Sequence, residues 1–316
     1  MRLGLEIAVT GLILVASVYV VAVLDLVLGR LVAAAPLRLA EAVVRPVRRG
    51  ALLFLQRPPR TERPDQALWI LAPALLGAIA AAVLFVMPLG PTELSQSSGM
   101  RDVDAGIVYF GALMALVMVA VYLHGWAPNS LFPMVGGYRF VALALSYEMP
   151  LALVLIGAAL PARSLSIGAI VDAQAGLWNL VRQPLGLPLY LVAALGLTFR
   201  GPLNVSDAAD LAGGTPAESS GVALLLWALG RNAILVAAAA MGAAGFLGGW
   251  RGPALPGPVW MVAKSLALVA VLLGVSHLVG RVRLERFVIV AWAVLIPLAL
   301  LDVFAAGAVA LLAGRP

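Results

Sequence analysis

The 316-residue chain is 63% hydrophobic and only 11% charged, with a formal net charge of +6 and a mean hydropathy of +1.04. Soluble domains carry roughly a quarter charged residues, so a water-soluble core is excluded, and the missing apolar/polar alternation excludes a transmembrane β-barrel. The sequence has no cysteine, which excludes disulfides, thiolate metal sites and iron–sulfur clusters.

Repeated apolar stretches of about twenty residues match the hydrocarbon thickness of a bilayer, where only a helical bundle satisfies the backbone. The expected fold is therefore all-α: a polytopic bundle of about eight transmembrane helices forming one integral membrane domain over residues 1–316. The spans fall near 3–28, 68–88, 105–125, 138–161, 186–199, 221–248, 258–279 and 287–312. The first is too long for a signal-peptide core and ends without a small-residue cleavage site, so it reads as a retained helix.

Between the first two spans lie Arg30, Arg38, Arg45, Arg48, Arg49, Arg57, Arg60 and Arg63. Such a loop faces the cytoplasm, which sets both termini on the outer side of the membrane. Arg139, Arg200, Arg281, Arg283 and Arg286 then fall on the cytoplasmic side, whereas the outer loops hold isolated arginines such as Arg101, Arg163 and Arg251. This placement accounts for the positive charge by membrane orientation and gives no reason to expect nucleic acid. Within the first loop, residues 37–55 mix arginine with leucine and valine as an amphipathic helix at the lipid interface would, although a plain solvated loop fits as well.

The span 186–199 is short, and Pro73, Pro150 and Pro297 lie in or near spans, where they can kink helices. No internal repeat suggests a transporter built from two related halves.

Ionisable groups within hydrocarbon are costly, so each marks a possible functional site. Glu148 lies in Ser146-Tyr147-Glu148-Met149-Pro150-Leu151 near the cytoplasmic end of the fourth span. A carboxyl held out of water there can bind and release a proton near neutral pH, or it can pair with a cation such as Arg139. Asp207, Asp210 and Glu218, in the polar loop after the fifth span, could feed protons toward it or be ordinary solvated loop charges. Arg231, well inside the sixth span, must snorkel, face water or pair with a carboxylate, for which Glu148 is one candidate. Asp25 and Asp302 are further candidates, as relay members or as local hydrogen-bonding devices. His124 and His277 read as helix-end histidines near the headgroups, and no metal site is expected.

Gly125-Trp126-Ala127-Pro128-Asn129-Ser130, then Arg139, then Ser146-Tyr147-Glu148-Met149-Pro150-Leu151 resemble the G-W-A-x-N-S and S-Y-E-x-P-L segments of the membrane H-subunit of bacterial NADH–quinone oxidoreductase, respiratory complex I. Asp172-Ala173-Gln174-Ala175-Gly176-Leu177-Trp178-Asn179 is similar to that family's outer loop. The stretch from Phe246-Leu247-Gly248-Gly249-Trp250 through Pro256-Gly257-Pro258 to Trp260 and Lys264 is similar to its link between spans six and seven. Three segments depart from the pattern, one of them the family's Arg-rich Gly-Pro-Asn-Arg stretch after the first span, which is shortened here to Ala35-Pro36-Leu37-Arg38 with Pro46 and Gly50 further on. Leu197-Thr198-Phe199-Arg200-Gly201-Pro202-Leu203-Asn204 stands where the family has E-T-N-R-x-P-F-D, and Gly230-Arg231-Asn232-Ala233 stands where it has E-Y-A-N.

The resemblance implies a membrane subunit lying below the peripheral electron-transfer arm. It implies quinone as substrate, no metal or flavin in this chain, and other membrane and peripheral-arm subunits, lipid and quinone as partners. By the same resemblance Glu148, Asp207, Asp210 and Glu218 are proton-path candidates, and Arg38, Arg139 and Arg200 are quinone-chamber candidates. The homologous subunit of an energy-converting hydrogenase or formate hydrogenlyase, and an anchoring scaffold without proton coupling, remain alternatives.

Overall fold

A computed structural model describes residues 2–36, 38–56, 61–90, 102–208 and 213–313, with side chains between residues 8 and 312 of these. All regular structure in the described residues is helical. In chain order the helices are α1 (Arg2–Val32), α2 (Leu39–Leu55), α3 (Gln66–Phe85), α4 (Gly106–Trp126), α5 (Leu131–Ala159), α6 (Ile167–Ala173), α7 (Asn179–Arg182), α8 (Gly186–Leu197), α9 (Gly221–Phe246), α10 (Gly257–Leu278), α11 (Leu284–Val290) and α12 (Ile296–Ala313). Seven helices among the described residues are long and apolar enough to cross a bilayer, the last comprising α11, a π-helical turn and α12.

The eighth expected span is α8, which has 12 residues. At 1.5 Å per residue it is about 18 Å long, short of a hydrocarbon core of about 30 Å. The segment 160–185 joins α5 to α8 and is held against the bundle by three buried amides. Gln174 donates to the Ala244 carbonyl at 2.8 Å and accepts from the backbone N–H groups of Asn179 (3.1 Å) and Gly248 (3.0 Å). Asn179 donates to the Gly245 carbonyl at 2.9 Å, and Gln183 to the Gly157 carbonyl at 2.6 Å. These bonds fasten the connecting segment, with its short helices α6 and α7, to the ends of α5 and α9.

Helix α9 is central, packing on α1, α2, α3, α8 and α10. Its small residues permit this: a methyl group on Gly230 would lie 2.8 Å from Leu76 of α3, and one on Gly242 would lie 2.8 Å from the Tyr190 ring of α8. The end of α9 is closed by Lys264 of α10, whose ammonium donates to the carbonyls of Leu247 (2.6 Å), Gly249 (3.0 Å) and Arg251 (2.5 Å) beneath the Trp178 ring.

Local chemistry sets the helix boundaries. Asp65 caps α3 by accepting the N–H groups of Ala67 and Leu68, both at 3.1 Å. Pro73 and Pro150 are accommodated within continuous helices. Pro297 instead follows the π-helical turn Ala291–Leu295, which absorbs its missing N–H and its clash with the preceding turn.

Candidate functional site

The helix connections gather the loops at two ends. At one end lie the first loop, the α4–α5 junction, residues 198–221 and the α10–α11 junction. Contacts between them include Asn129 Nδ2 donating to the Glu62 carbonyl and Arg281 Nε donating to Asn204 Oδ1 at 2.9 Å. This end carries the concentration of arginines. At the other end Asp102 accepts from Ser166 Oγ at 2.6 Å, and Arg251 pairs with Asp172 at 2.5 Å.

At the basic end, three groups of polar side chains adjoin. In the first, Arg200 donates from Nη1 to Asp25 Oδ2 at 3.3 Å and from Nη2 to Asn232 Oδ1 at 2.5 Å, while His277 Nε2 meets Asp25 Oδ1 at 2.8 Å. A methyl group on Gly29 would lie 3.2 Å from the His277 ring, so the absence of a side chain there lets the imidazole reach α1. Burial holds the Arg200 guanidinium below its ordinary range, at about 10; neighbouring Arg231 pushes the same way and Asp25 opposes. It remains cationic at neutral pH.

In the second group Arg231 Nη1 donates to Asp207 Oδ2 at 2.8 Å, and Trp227 Nε1 (3.1 Å) and Thr215 Oγ1 (3.2 Å) donate to Asp207 Oδ1. Arg231 thus finds its carboxylate in Asp207 rather than in Glu148. In the third, His124 is fully buried, with its ring stacked on Trp227 at 3.8 Å and its Nε2 3.3 Å from Ser219 Oγ, which accepts from Trp69 Nε1. This corrects the expectation of a histidine near the headgroups: the aromatic packing of α4 on α9 draws the ring into the core. Beside it Ser130 Oγ donates to Glu218, whose second oxygen has no partner.

Glu148 lies apart from these groups on α5. Its Oε1 is buried without a hydrogen-bond partner, as is the hydroxyl of adjacent Tyr147, and no ion pair reaches Glu148 among the described residues. Tyr147 packs edge-on to Phe140 and against Gly196 of α8, where an added methyl group would lie 2.6 Å from the ring. Arg139, on the same helix nine residues earlier and so about 13 Å along its axis, does not pair with Glu148. Arg38 is exposed at the start of α2, and Asp210 lies outside the described residues.

The structure therefore brings Arg200 and Asp207 into adjoining networks through Asn232 and Arg231, and leaves Glu148 separate. Sequence reasoning singled out Asp25 and Arg231 but did not join them to Arg200 and Asp207, and it missed Asn232 and Gln183. An apolar pocket of about 60 Å³, lined by Ile13, Leu84, Val236, Met261, Val262 and Leu266, lies between α1, α3, α9 and α10 and includes none of the candidates. No cluster of three carboxylates or imidazoles that could hold a metal occurs among the described residues.

Known proteins share this sequence over most of its length. A family model described as NADH dehydrogenase matches residues 7–307. The NADH-quinone oxidoreductase H-subunit of Syntrophotalea carbinolica is 32% identical over 314 residues, covering 97% of this chain and 94% of the relative. The second H-subunit of Rhodopseudomonas palustris NADH-quinone oxidoreductase is 34% identical over 80% of this chain and 77% of its own length. The corresponding second H-subunit of Cereibacter sphaeroides is 36% identical over 75% and 74%.

Proposed function

This chain belongs to the H-subunit family of NADH-quinone oxidoreductase, and from that membership we propose that it links quinone reduction to proton translocation in a complex I-like assembly. Glu148 is the group that binds and releases the proton. The reading is carried by one observation: this carboxyl, within a membrane-length helix, has a buried oxygen with no hydrogen-bond partner and no cation paired to it. A permanent counter-ion would pin it as a carboxylate, whereas an unpaired acid can change protonation state when quinone chemistry alters its surroundings.

The basic end faces the cytoplasm and receives the peripheral subunits, which supply the electrons; both termini face outward across a bacterial plasma membrane. Quinone is the substrate, taken up near this end, with its apolar tail against the helices and its head among polar groups. Arg200 is the best placed of the candidates, since its buried guanidinium joins α1, the loop after α8 and α9. Arg139 and Arg38 flank the same end. Asp207 positions Arg231, while Glu218, with one oxygen unpartnered, and Asp210 are the further proton-path candidates of the loop after α8.

Glu148→Gln in the assembled complex tests the reading, with NADH–quinone electron transfer and proton uptake measured on the same sealed vesicles. The expected result is normal assembly with proton translocation reduced several-fold. Unchanged proton translocation with normal assembly would leave only an anchoring bundle, the reading that the ion-paired Asp25 and Asp207 favour.

A further inference from the structure

Asp302 lies on α12, inside the last span, and is 2% exposed. A carboxylate so placed requires a cation or several donors. It has neither. Its Oδ2 is buried without a hydrogen-bond partner, and the nearby backbone amide of Gly186, at the start of α8, donates to the Gln183 carbonyl at 3.0 Å. The elements packed on α12 bring it no counter-ion: α8 has no charged residue, Arg139 and Glu148 of α5 make no ion pair with it, and neither do Arg163 and Arg182 of the segment 160–185.

Facing it is a second orphan of the same kind. Gln183 is 1% exposed, and its amide is oriented by the 2.6 Å bond from Nε2 to the Gly157 carbonyl, which fixes Oε1 as the free group. Oε1 also has no partner. The two oxygens open onto one space: a methyl group on Gly157 would lie 3.2 Å from Asp302 Oδ2 and 3.7 Å from Gln183 Oε1. A methyl group on Gly186 would lie 3.1 Å from the same Oδ2, so two glycines, on α5 and α8, keep the space clear. Two buried acceptors turned to one space repel unless a proton lies between them, and one proton on Asp302 satisfies both.

We propose that Asp302 and Gln183 form a proton-binding site within the bundle, with Asp302 held as the neutral acid and its O–H donated to Gln183 Oε1, directly or through one water. The site lies at the start of α8, between α5 and α12. It stands on the packing of α5, α8 and α12 and is independent of the role given to Glu148.

Infrared spectroscopy of the intact complex in H2O and D2O tests it. The difference between wild type and Asp302→Asn is expected to show loss of one protonated-carboxyl C=O band that shifts on deuteration. The same band is expected to survive in Glu148→Gln, so the two assignments fail separately. Asparagine supplies an N–H where the acid supplies an O–H, so the variant is expected to assemble. Should it not, Gln183→Leu keeps the acid and removes its acceptor, and the band then moves to higher frequency. A difference spectrum in which Asp302→Asn removes only carboxylate bands, or a band unmoved in Gln183→Leu, would overturn the proposal.

Discussion

Asp207 accepts from Arg231, Trp227 and Thr215 together, so neutralising it strands three donors that the loop and α9 bring to one place. Asp207→Asn offers one carbonyl and turns an amide N–H toward groups that are themselves donors. The expected loss is about 2–3 kcal/mol of unfolding free energy, below the full value for a buried pair because Arg231 is 30% exposed. Denaturant unfolding in detergent measures it, and adding Arg231→Leu should recover part of the loss by removing the uncompensated cation. A single variant within about 0.5 kcal/mol of wild type would show that the pair contributes nothing. The cost of a cation inside the sixth span, and hence its need for a carboxylate, was legible in the sequence. The identity of that carboxylate was not, because it depends on how the loop 198–221 folds back over α9, and loop paths have no periodicity to read. For the same reason the Asp25–Arg200 contact, 175 residues apart, was not legible.

Among the elements, α2 is amphipathic and lies against α1 and α9, with Tyr19 of α1 donating to the Val43 carbonyl at 2.8 Å. Glu41 adds an ionic tie to Arg30 of α1 through bonds of 2.9 and 3.3 Å. The hydrogen bond and charge of Arg30 hold the exposed Glu41 carboxyl below its usual value of 4.5. Because the depressed value belongs to the folded state, the tie is fully present above pH 4.5 and is lost as pH falls through the lower, folded value. A spin label at exposed position 47 should therefore keep constant mobility from neutral pH down to about pH 5 and loosen only in stronger acid. In Glu41→Gln the mobility should be acid-independent and already raised at pH 7; a label whose mobility changes near neutrality would place the titrating group elsewhere. The long spans were readable because hydropathy alone dictates them, whereas helix α2 was only one of two readings of its segment. The shortness of α8 was readable only as a weak span. The fastening of the segment before it by Gln174, Asn179 and Gln183 was not, since an amide in an outer loop looks like any solvated residue until its partners on α5 and α9 are known.

At the scale of the whole molecule, the connections place both described termini at the end opposite the arginine-rich loops, because the seven long helices and the shorter α8 alternate direction along the chain. The proposed orientation, with the basic end toward the cytoplasm, rests on charge. Arg38, Arg45, Arg48 and Arg49 crowd one end around α2, whereas Arg163, Arg182 and Arg251 are scattered at the other, and Arg251 is partly neutralised by Asp172 at 2.5 Å. Moving the basic end outward would carry this excess across the membrane against the positive-inside bias. The sequence contains no cysteine, so a single introduced thiol reports its own position without background. In Arg163→Cys, on an exposed turn at the sparsely charged end, a membrane-impermeant maleimide should label intact cells with a permeabilised outer membrane. In Arg48→Cys, exposed on α2, labelling should require opening of the inner membrane, and in the assembled complex it should be slower still wherever a peripheral subunit covers that face. Labelling of position 48 but not 163 from outside would invert the molecule. Glu148 would then lie near the outer leaflet, out of reach of electrons delivered from the cytoplasm, and the link between quinone reduction and this carboxyl would fail with it.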